Sequence, residues 1–264
     1  MKKYIGLIRM EFLESVTYKA DFFMYFFGII LEIVVMSSIW TVLFKNKPEI
    51  GGTTLKGMIT YSVLVFVLNS LMGRFRIYNF IVSKIRTGDI ALELLRPINF
   101  QLNIFSKTIG MSLFQLIFIA TPFTIIAFFS FGLTPPKDVF TLILFIISVL
   151  MSYMVNFGIF YIFSLSIFFT IENFGIVATF YITSSFFSGL IIPLWLFPPF
   201  LKNIALFLPF HTVFYTPVSI YLSKITGIDI LYSFLLQLFW IVILYVAGFF
   251  LWKLTEKKII IQGG

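Results

Sequence analysis

Residues Val139–Phe168 read VFTLILFIISVLMSYMVNFGIFYIFSLSIF, without one charged side chain. A helix needs about 20 predominantly apolar residues to cross the hydrocarbon of a bilayer, so this run is long enough to cross with tilt or to extend beyond it. Five further runs have the same character: Phe22–Phe44, Gly57–Tyr78, Leu102–Phe131, Phe174–Phe197 and Ile230–Leu251. The expectation is an all-α polytopic membrane protein, with residues 1–264 forming a single transmembrane domain of six spans. Composition agrees. Of the 264 residues 60% are hydrophobic, 20% aromatic and 11% charged, against roughly 25% charged in an average soluble domain. A soluble fold needs a charged exterior; a bilayer presents hydrocarbon and removes that need.

The net charge of +8 does not point to nucleic acid, because most of the chain cannot offer a basic face to water. Lys and Arg gather instead at the ends of the apolar runs. Lys2, Lys3, Arg9, Lys19, Arg74, Arg76, Lys84, Arg86, Arg96, Lys107, Lys253, Lys257 and Lys258 fall on one side of a six-span topology. They outnumber Lys45, Lys47, Lys56, Lys137, Lys202 and Lys224 on the other. Retention of positive charge on the cytoplasmic side places both termini there. The first run is too long for the apolar core of a cleaved signal, and acidic residues precede it. The chain has no cysteine, which excludes disulfides and thiolate metal sites.

Ahead of the first span, within residues 1–20, Tyr4, Ile5, Ile8, Phe12 and Val16 share one side of a helical projection and Lys3, Glu11 and Glu14 the other. This suits a helix lying in the membrane interface, or the start of span one. The connection between spans two and three, residues 84–97, contains Gly88 for a bend, Asp89 as a candidate N-cap and Pro97 as a stop. It describes a short helix with an apolar edge of Ile90, Leu94 and Leu95. Such an edge needs cover from a partner protein, from lipid or from the chain's own helices.

Arg-Thr-Gly-Asp-Ile-Ala-Leu-Glu-Leu-Leu-Arg-Pro (Arg86–Pro97) resembles the first cytoplasmic loop of the ABC-2 type permeases. A second block, SGLIIPLWLFPPF (Ser188–Phe200) followed by ALFLPF (Ala205–Phe210), is similar to the Pro-rich outer connection between the last two spans of that family. The resemblance covers essentially the whole chain. It implies the membrane subunit of an ATP-driven exporter in a prokaryotic cell membrane, working as a dimer with a second copy or a related permease. A separate ABC ATPase subunit would bind ATP and Mg; the present chain has no Gly-x-x-x-x-Gly-Lys-Ser/Thr phosphate loop and carries no cofactor in this picture. The segment with Arg86, Gly88, Asp89, Ile90, Leu94, Leu95, Arg96 and Pro97 would be the coupling helix seated on the ATPase, braced by the N-terminal helix. Spans one and five would meet across the dimer, with Ser185, Ser188 and Gly189 as small seam residues.

Pro193, Pro198, Pro199, Pro209 and Pro217 interrupt every long helix between about 190 and 225, although the stretch stays apolar. Broken helices re-entering from the outer face are expected, or a loop packed on the spans. Polar residues within spans are few. Glu32 needs a helix partner, a wet cavity or a proton, and is a candidate for the pathway or gate; Asn69 and Asn156 are candidates for the same role or for interhelical hydrogen bonds. Glu172 and Asn173 form a turn between spans four and five, wet or in contact with the ATPase. No catalytic or metal-binding pattern is present: His211 stands alone and reads as an interfacial structural residue. The rival readings are an ion-coupled secondary transporter and a membrane scaffold; the former often shows repeats with broken spans in both halves, whereas here the breaks occupy one half.

Overall fold

Several helices in this chain begin at a capping side chain or end at a glycine in the left-handed conformation. The computed structural model describes residues 2–17, 19–95, 98–169 and 174–263; Arg96, Pro97, Glu172 and Asn173 lie outside the described residues. In chain order come α1 (Lys2–Thr17) and α2 (Lys19–Leu43), a hairpin of β1 (Glu49–Ile50) and β2 (Thr53–Thr54), then α3 (Leu55–Met72), α4 (Arg74–Thr87) and α5 (Ile90–Leu94). There follow α6 (Phe100–Gln115), α7 (Thr121–Phe131), α8 (Val139–Ser166), α9 (Phe174–Phe187), α10 (Pro199–Phe207), α11 (Tyr215–Tyr221) and α12 (Ile228–Gly263). Thr54, Asn99 and Asp138 are the N-caps of α3, α6 and α8, accepting the N–H groups of Gly57 (3.3 Å), Leu102 (3.0 Å) and Thr141 (2.7 Å).

Five helical stretches among the described residues are long and apolar enough to cross a bilayer: Phe26–Leu43, Leu55–Thr87, Phe100–Phe131, Val139–Ser166 and Ile228–Lys258. They answer to five of the six expected runs, with two internal adjustments. The second breaks at Gly73, whose φ of 57° ends α3 and starts α4. The third passes through one π turn, Leu116–Ala120, immediately before Thr121 and Pro122; proline lacks the N–H that a regular turn needs there, and the Thr121 hydroxyl reaches back to the Leu116 carbonyl (2.7 Å).

The run expected at 174–197 is corrected. Its helix, α9, stops at Phe187 and so rises about 21 Å at 1.5 Å per residue, short of the roughly 30 Å of hydrocarbon. Gly189, at a φ of 81°, turns the chain into broken pieces: a single turn Leu194–Leu196, α10, a turn Pro209–Thr212 and α11, with α10 meeting the Pro209–Tyr221 stretch at 79°. Pro193, Pro198, Pro199 and Pro209 stand at the starts of these pieces, where a missing N–H costs no helical bond.

The main core joins Tyr61, Met72, Ile81, Phe157, Val218 and Leu244, from α3, α4, α8, α11 and α12. A second core, with Ile33, Phe66 and Phe123, clamps α2 and α7 to α3. Helices α8 and α12 approach closely at Gly158, where an added Cβ would lie 2.7 Å from the Leu244 Cβ. The buried Gln237 amide on α12 donates to Ser148 O (3.2 Å), Ser152 Oγ (2.9 Å) and Thr212 O (3.0 Å), and the Ser148 hydroxyl donates to its oxygen (3.2 Å). This pins the broken segment to α8 and α12.

One end of the bundle gathers Phe100 stacked on Trp252 at 3.8 Å and the Lys258 ammonium on the Phe168 carbonyl; α5 lies here. At the other, Lys224 donates to the Gly52 carbonyl of the hairpin, Thr134 N–H to the Thr60 hydroxyl (2.9 Å) and the Tyr221 hydroxyl to Thr134 O (3.2 Å). Asp138 sits near that hairpin end, fully exposed. The Thr141 backbone N–H, and then the Thr141 hydroxyl, hold its carboxyl below the ordinary aspartate range. A depressed folded value means that the cap is complete above the unfolded value of about 3.9 and is lost as pH falls through the folded one. Thermal melts at about pH 6 and about pH 3 are expected to show this acid loss in the wild type and not in Asp138→Asn, whose amide oxygen caps at both.

Candidate functional site

The α4–α5 corner is built by Gly88. Its φ of 78° closes α4, and its N–H bonds the Ile85 carbonyl. Two expectations for this corner are corrected. Asp89 does not cap α5: it is helical itself (φ −61°, ψ −13°), and its carboxylate lies instead on the Thr87 hydroxyl at 2.8 Å, a group also within reach of the Ser83 carbonyl at 3.1 Å. Ile90 is not part of an outward edge; it is 4% exposed and packs in the main core. The outward residues are Leu92 at 57% and Leu95 at 81% exposed. Arg86 is exposed beside them, while Arg96 and Pro97 and the Leu94 side chain lie outside what is described.

Burial of Ile90 follows from a group that sequence reasoning missed. Glu93, its side chain 1% exposed, pairs with Lys84 of α4 at 2.5 Å and accepts the Asn103 amide of α6 at 3.0 Å. A buried carboxylate so engaged fixes the rotation of this short helix, and the neighbouring positions follow. A second buried pair ties down α1. Glu11, expected on the polar side of the interface helix, is instead 4% exposed and meets Lys107 of α6 at 2.6 Å. Gly110, one turn on, lets α1 lie directly on α6: an added Cβ there would overlap the Ile8 carbonyl. Ile5, Met10, Leu13 and Val16 remain outward.

A third polar centre sits at the Gly73 break. The Asn156 amide donates to the Met72 carbonyl at 2.9 Å, satisfying an acceptor that the end of α3 exposes. Arg74 donates to Asn69 Oδ1 (2.7 Å) on α3 and to Ser185 Oγ (3.2 Å) on α9, with the rings of Phe160, Tyr181 and Phe214 within 5.5–5.8 Å. Beneath it lies a cavity of about 10 Å³ lined by Arg74, Asn156, Ser184 and Ser188, room for one water. Asn69 and Asn156 are thus brought together around Arg74, which the sequence presented only as a topology marker. Glu32 is exposed on α2, and Arg74 is near enough to act on it electrostatically.

Of the expected seam residues, Ser185 is half-buried and held by Arg74. Ser188 and Gly189 are corrected: both belong to the protomer's interior. Ser188 O accepts the Tyr215 N–H (3.0 Å) and Gly189 O the Tyr61 hydroxyl (2.7 Å). His211 is buried at 3% exposure, its Nδ1 on the Leu208 carbonyl at 2.7 Å, a local tie within the broken segment. Among the described residues no cluster of His, Cys, Asp and Glu is arranged to hold a metal.

The family model described as ABC-2 family transporter protein matches residues 23–263. The chain belongs to that family. No curated protein matches it. As an ABC-2 family transporter protein it is a multi-pass membrane permease of an ABC-type transporter, and the charge-anchored corners above are features of this member of the family. The match begins within α2, so α1 lies ahead of it.

Proposed function

We propose that the protein is the pathway-forming subunit of an ATP-driven exporter, working as a dimer in a prokaryotic cell membrane, with a separate ABC ATPase docked on α5. The observation that carries this reading is the α5 corner. A five-residue helix is held by a buried carboxylate and turns two leucines, 57% and 81% exposed, away from the bundle. Exposed leucines on a rigid corner gain from a protein groove. The chain itself carries no phosphate loop, so nucleotide, Mg and hydrolysis belong to the partner and this subunit is not an enzyme. ABC family membership supports ATP-driven over ion-coupled transport.

The charge asymmetry and the placement of both α1 and the end of α12 toward the α5 end support cytoplasmic termini, which calls for an even number of crossings. Helix α9 is then the fifth crossing, completed by the re-entrant pieces. Glu32, Asn69 and Arg74 lie toward one side of the protomer, with α2 and α9, and would border the pathway between two copies.

Leu92→Ala and Leu95→Ala each remove three carbons, worth roughly 0.8 kcal/mol apiece when fully buried. If only half of that total is realised, docking weakens about 50-fold. The expected result is loss of ATPase copurification and of efflux together, at unchanged expression. Asp89→Ala, which removes no cap, is expected to leave copurification close to wild type. Equal recovery of the ATPase by wild type and the Leu92/Leu95 double variant would remove the docking assignment.

A further inference from the structure

The two buried ion pairs at the α5 end are joined by one ring. The Lys84 ammonium lies 5.2 Å and the Lys107 ammonium 4.6 Å from the centroid of Phe80 on α4. Each lysine reaches a different carboxylate: Lys84 that of Glu93 on α5, Lys107 that of Glu11 on α1. Two cations are attracted to a single aromatic ring but repel each other, and the arrangement is favourable only while each is neutralised by its own partner. Both carboxylates are buried and the ring is partly buried, so the interactions are poorly screened. We propose that Phe80 is a positioning residue that couples α5 to α1, so that the corner and the N-terminal helix move as one body through the sequence Glu93, Lys84, Phe80, Lys107, Glu11.

The functional consequence rests on the reading of α5 as the docking helix; the coupling itself does not. The body formed this way contains α1, which lies ahead of the matched family region, and its close seating on Gly110 extends it along α6. A displacement of α5 is therefore delivered to span three as well as to α4. Loss of one carboxylate leaves its lysine uncompensated on a ring it shares, and that lysine can draw on the remaining pair. Loss of both removes this refuge, so the double loss exceeds the product of the single ones.

Two measurements on the full-length permease in detergent test the coupling. In a double-mutant cycle, unfolding equilibria are compared for Glu11→Gln, Glu93→Gln and both together. The combined effect is expected to exceed the product of the single effects by about threefold or more, roughly 0.65 kcal/mol, and to return to the product in the Phe80→Leu background. Additivity in both backgrounds overturns the proposal. The second measurement leaves both ion pairs intact and does not depend on the carboxylate variants folding. With no native cysteine, spin labels at the exposed positions Arg9 and Asp89 report the α1–α5 distance. The distribution is expected to be narrow in the otherwise wild-type protein, broad with Phe80→Leu, and narrow again with Phe80→Trp, whose larger ring attracts cations more strongly. A distribution unchanged by Phe80→Leu, or not restored by Phe80→Trp, overturns the proposal. If the labels behave as expected while the Leu92→Ala/Leu95→Ala variant recovers the ATPase as well as wild type, the coupling stands and the docking reading of α5 falls.

Discussion

Replacing Gly189 by leucine is expected to unfold the hairpin end of the molecule, not merely to separate two subunits. The residue has a φ of 81°, a conformation that costs an ordinary L-residue roughly 1–2 kcal/mol. An added Cβ would lie 2.6 Å from the Tyr61 hydroxyl, 3.0 Å from the Tyr215 Cβ and 3.2 Å from Leu194 Cδ1, and relieving such overlap in a packed interior costs about 1–3 kcal/mol. The Tyr61 hydroxyl that must move is also the donor to the Gly189 carbonyl, and Tyr61 is fully buried; leaving it unpaired adds about 1–3 kcal/mol. The sum, about 3–8 kcal/mol, is comparable to the whole stability of a typical domain. A fall in melting temperature of about 10 °C or more is expected at this size, with loss of monodisperse protein in detergent. The Tyr61 ring packs edge-on to Trp195 at 5.0 Å, so tryptophan fluorescence should shift at the same transition. A Gly189→Leu protein that melts with the wild type and differs only in its dimer fraction would restore the seam role and reject this account.

Legibility in the sequence followed range. The spans could be read because twenty or more apolar residues in succession have few other uses, and the proline interruptions between 190 and 225 could be read because proline acts on its own helix. What failed depended on partners distant in sequence. Glu11 looked solvent-facing because its projection ignores Lys107, and Ile90 looked outward because five residues show too little of a helical period to fix a face; Glu93, through Lys84 and Asn103, decides the rotation. Asp89 had the chemistry of a cap, but the Thr87 hydroxyl two residues away competed for the same carboxylate. Ser188 and Gly189 matched a small-residue seam by composition, while the reason for glycine is a tyrosine 128 residues earlier. Arg74 carried a usable signal: an arginine directly after a glycine at the end of an apolar run marks a helix break as well as a topology boundary.

That break is the place where the second large effect is expected. Helix α4 leads into the α5 corner, and α3 continues the same span toward the hairpin end, so a displacement of the corner carried along α4 meets Gly73 before it reaches α3. A glycine at positive φ is a ready hinge. Here it is braced on both sides, by Asn156 on the Met72 carbonyl and by the Arg74 fork reaching Asn69 and Ser185. Because Ser185 belongs to α9, the brace also links α4 to the helix beside the proposed pathway. Arg74→Met keeps the apolar stem and removes the fork. Hydrogen bonds to a charged group are worth about 1.5–3 kcal/mol each and the aromatic contacts about 0.5–2, offset by relief of a partly desolvated charge; a net loss of about 3 kcal/mol follows. Arg74→Lys, which keeps the charge but cannot reach both oxygens with one planar group, is expected to fall between. The functional signature separates this brace from a purely structural contact. With the hinge loosened, motion of α5 is absorbed at Gly73, so ATPase copurification should persist while cargo efflux drops about tenfold, the equivalent of 1.4 kcal/mol. Asn156→Ala, which loosens the other side, should reproduce the pattern more weakly. Efflux and melting temperature that match the wild type in Arg74→Met would eliminate the hinge; equal losses of copurification and efflux would place Arg74 with the docking corner instead.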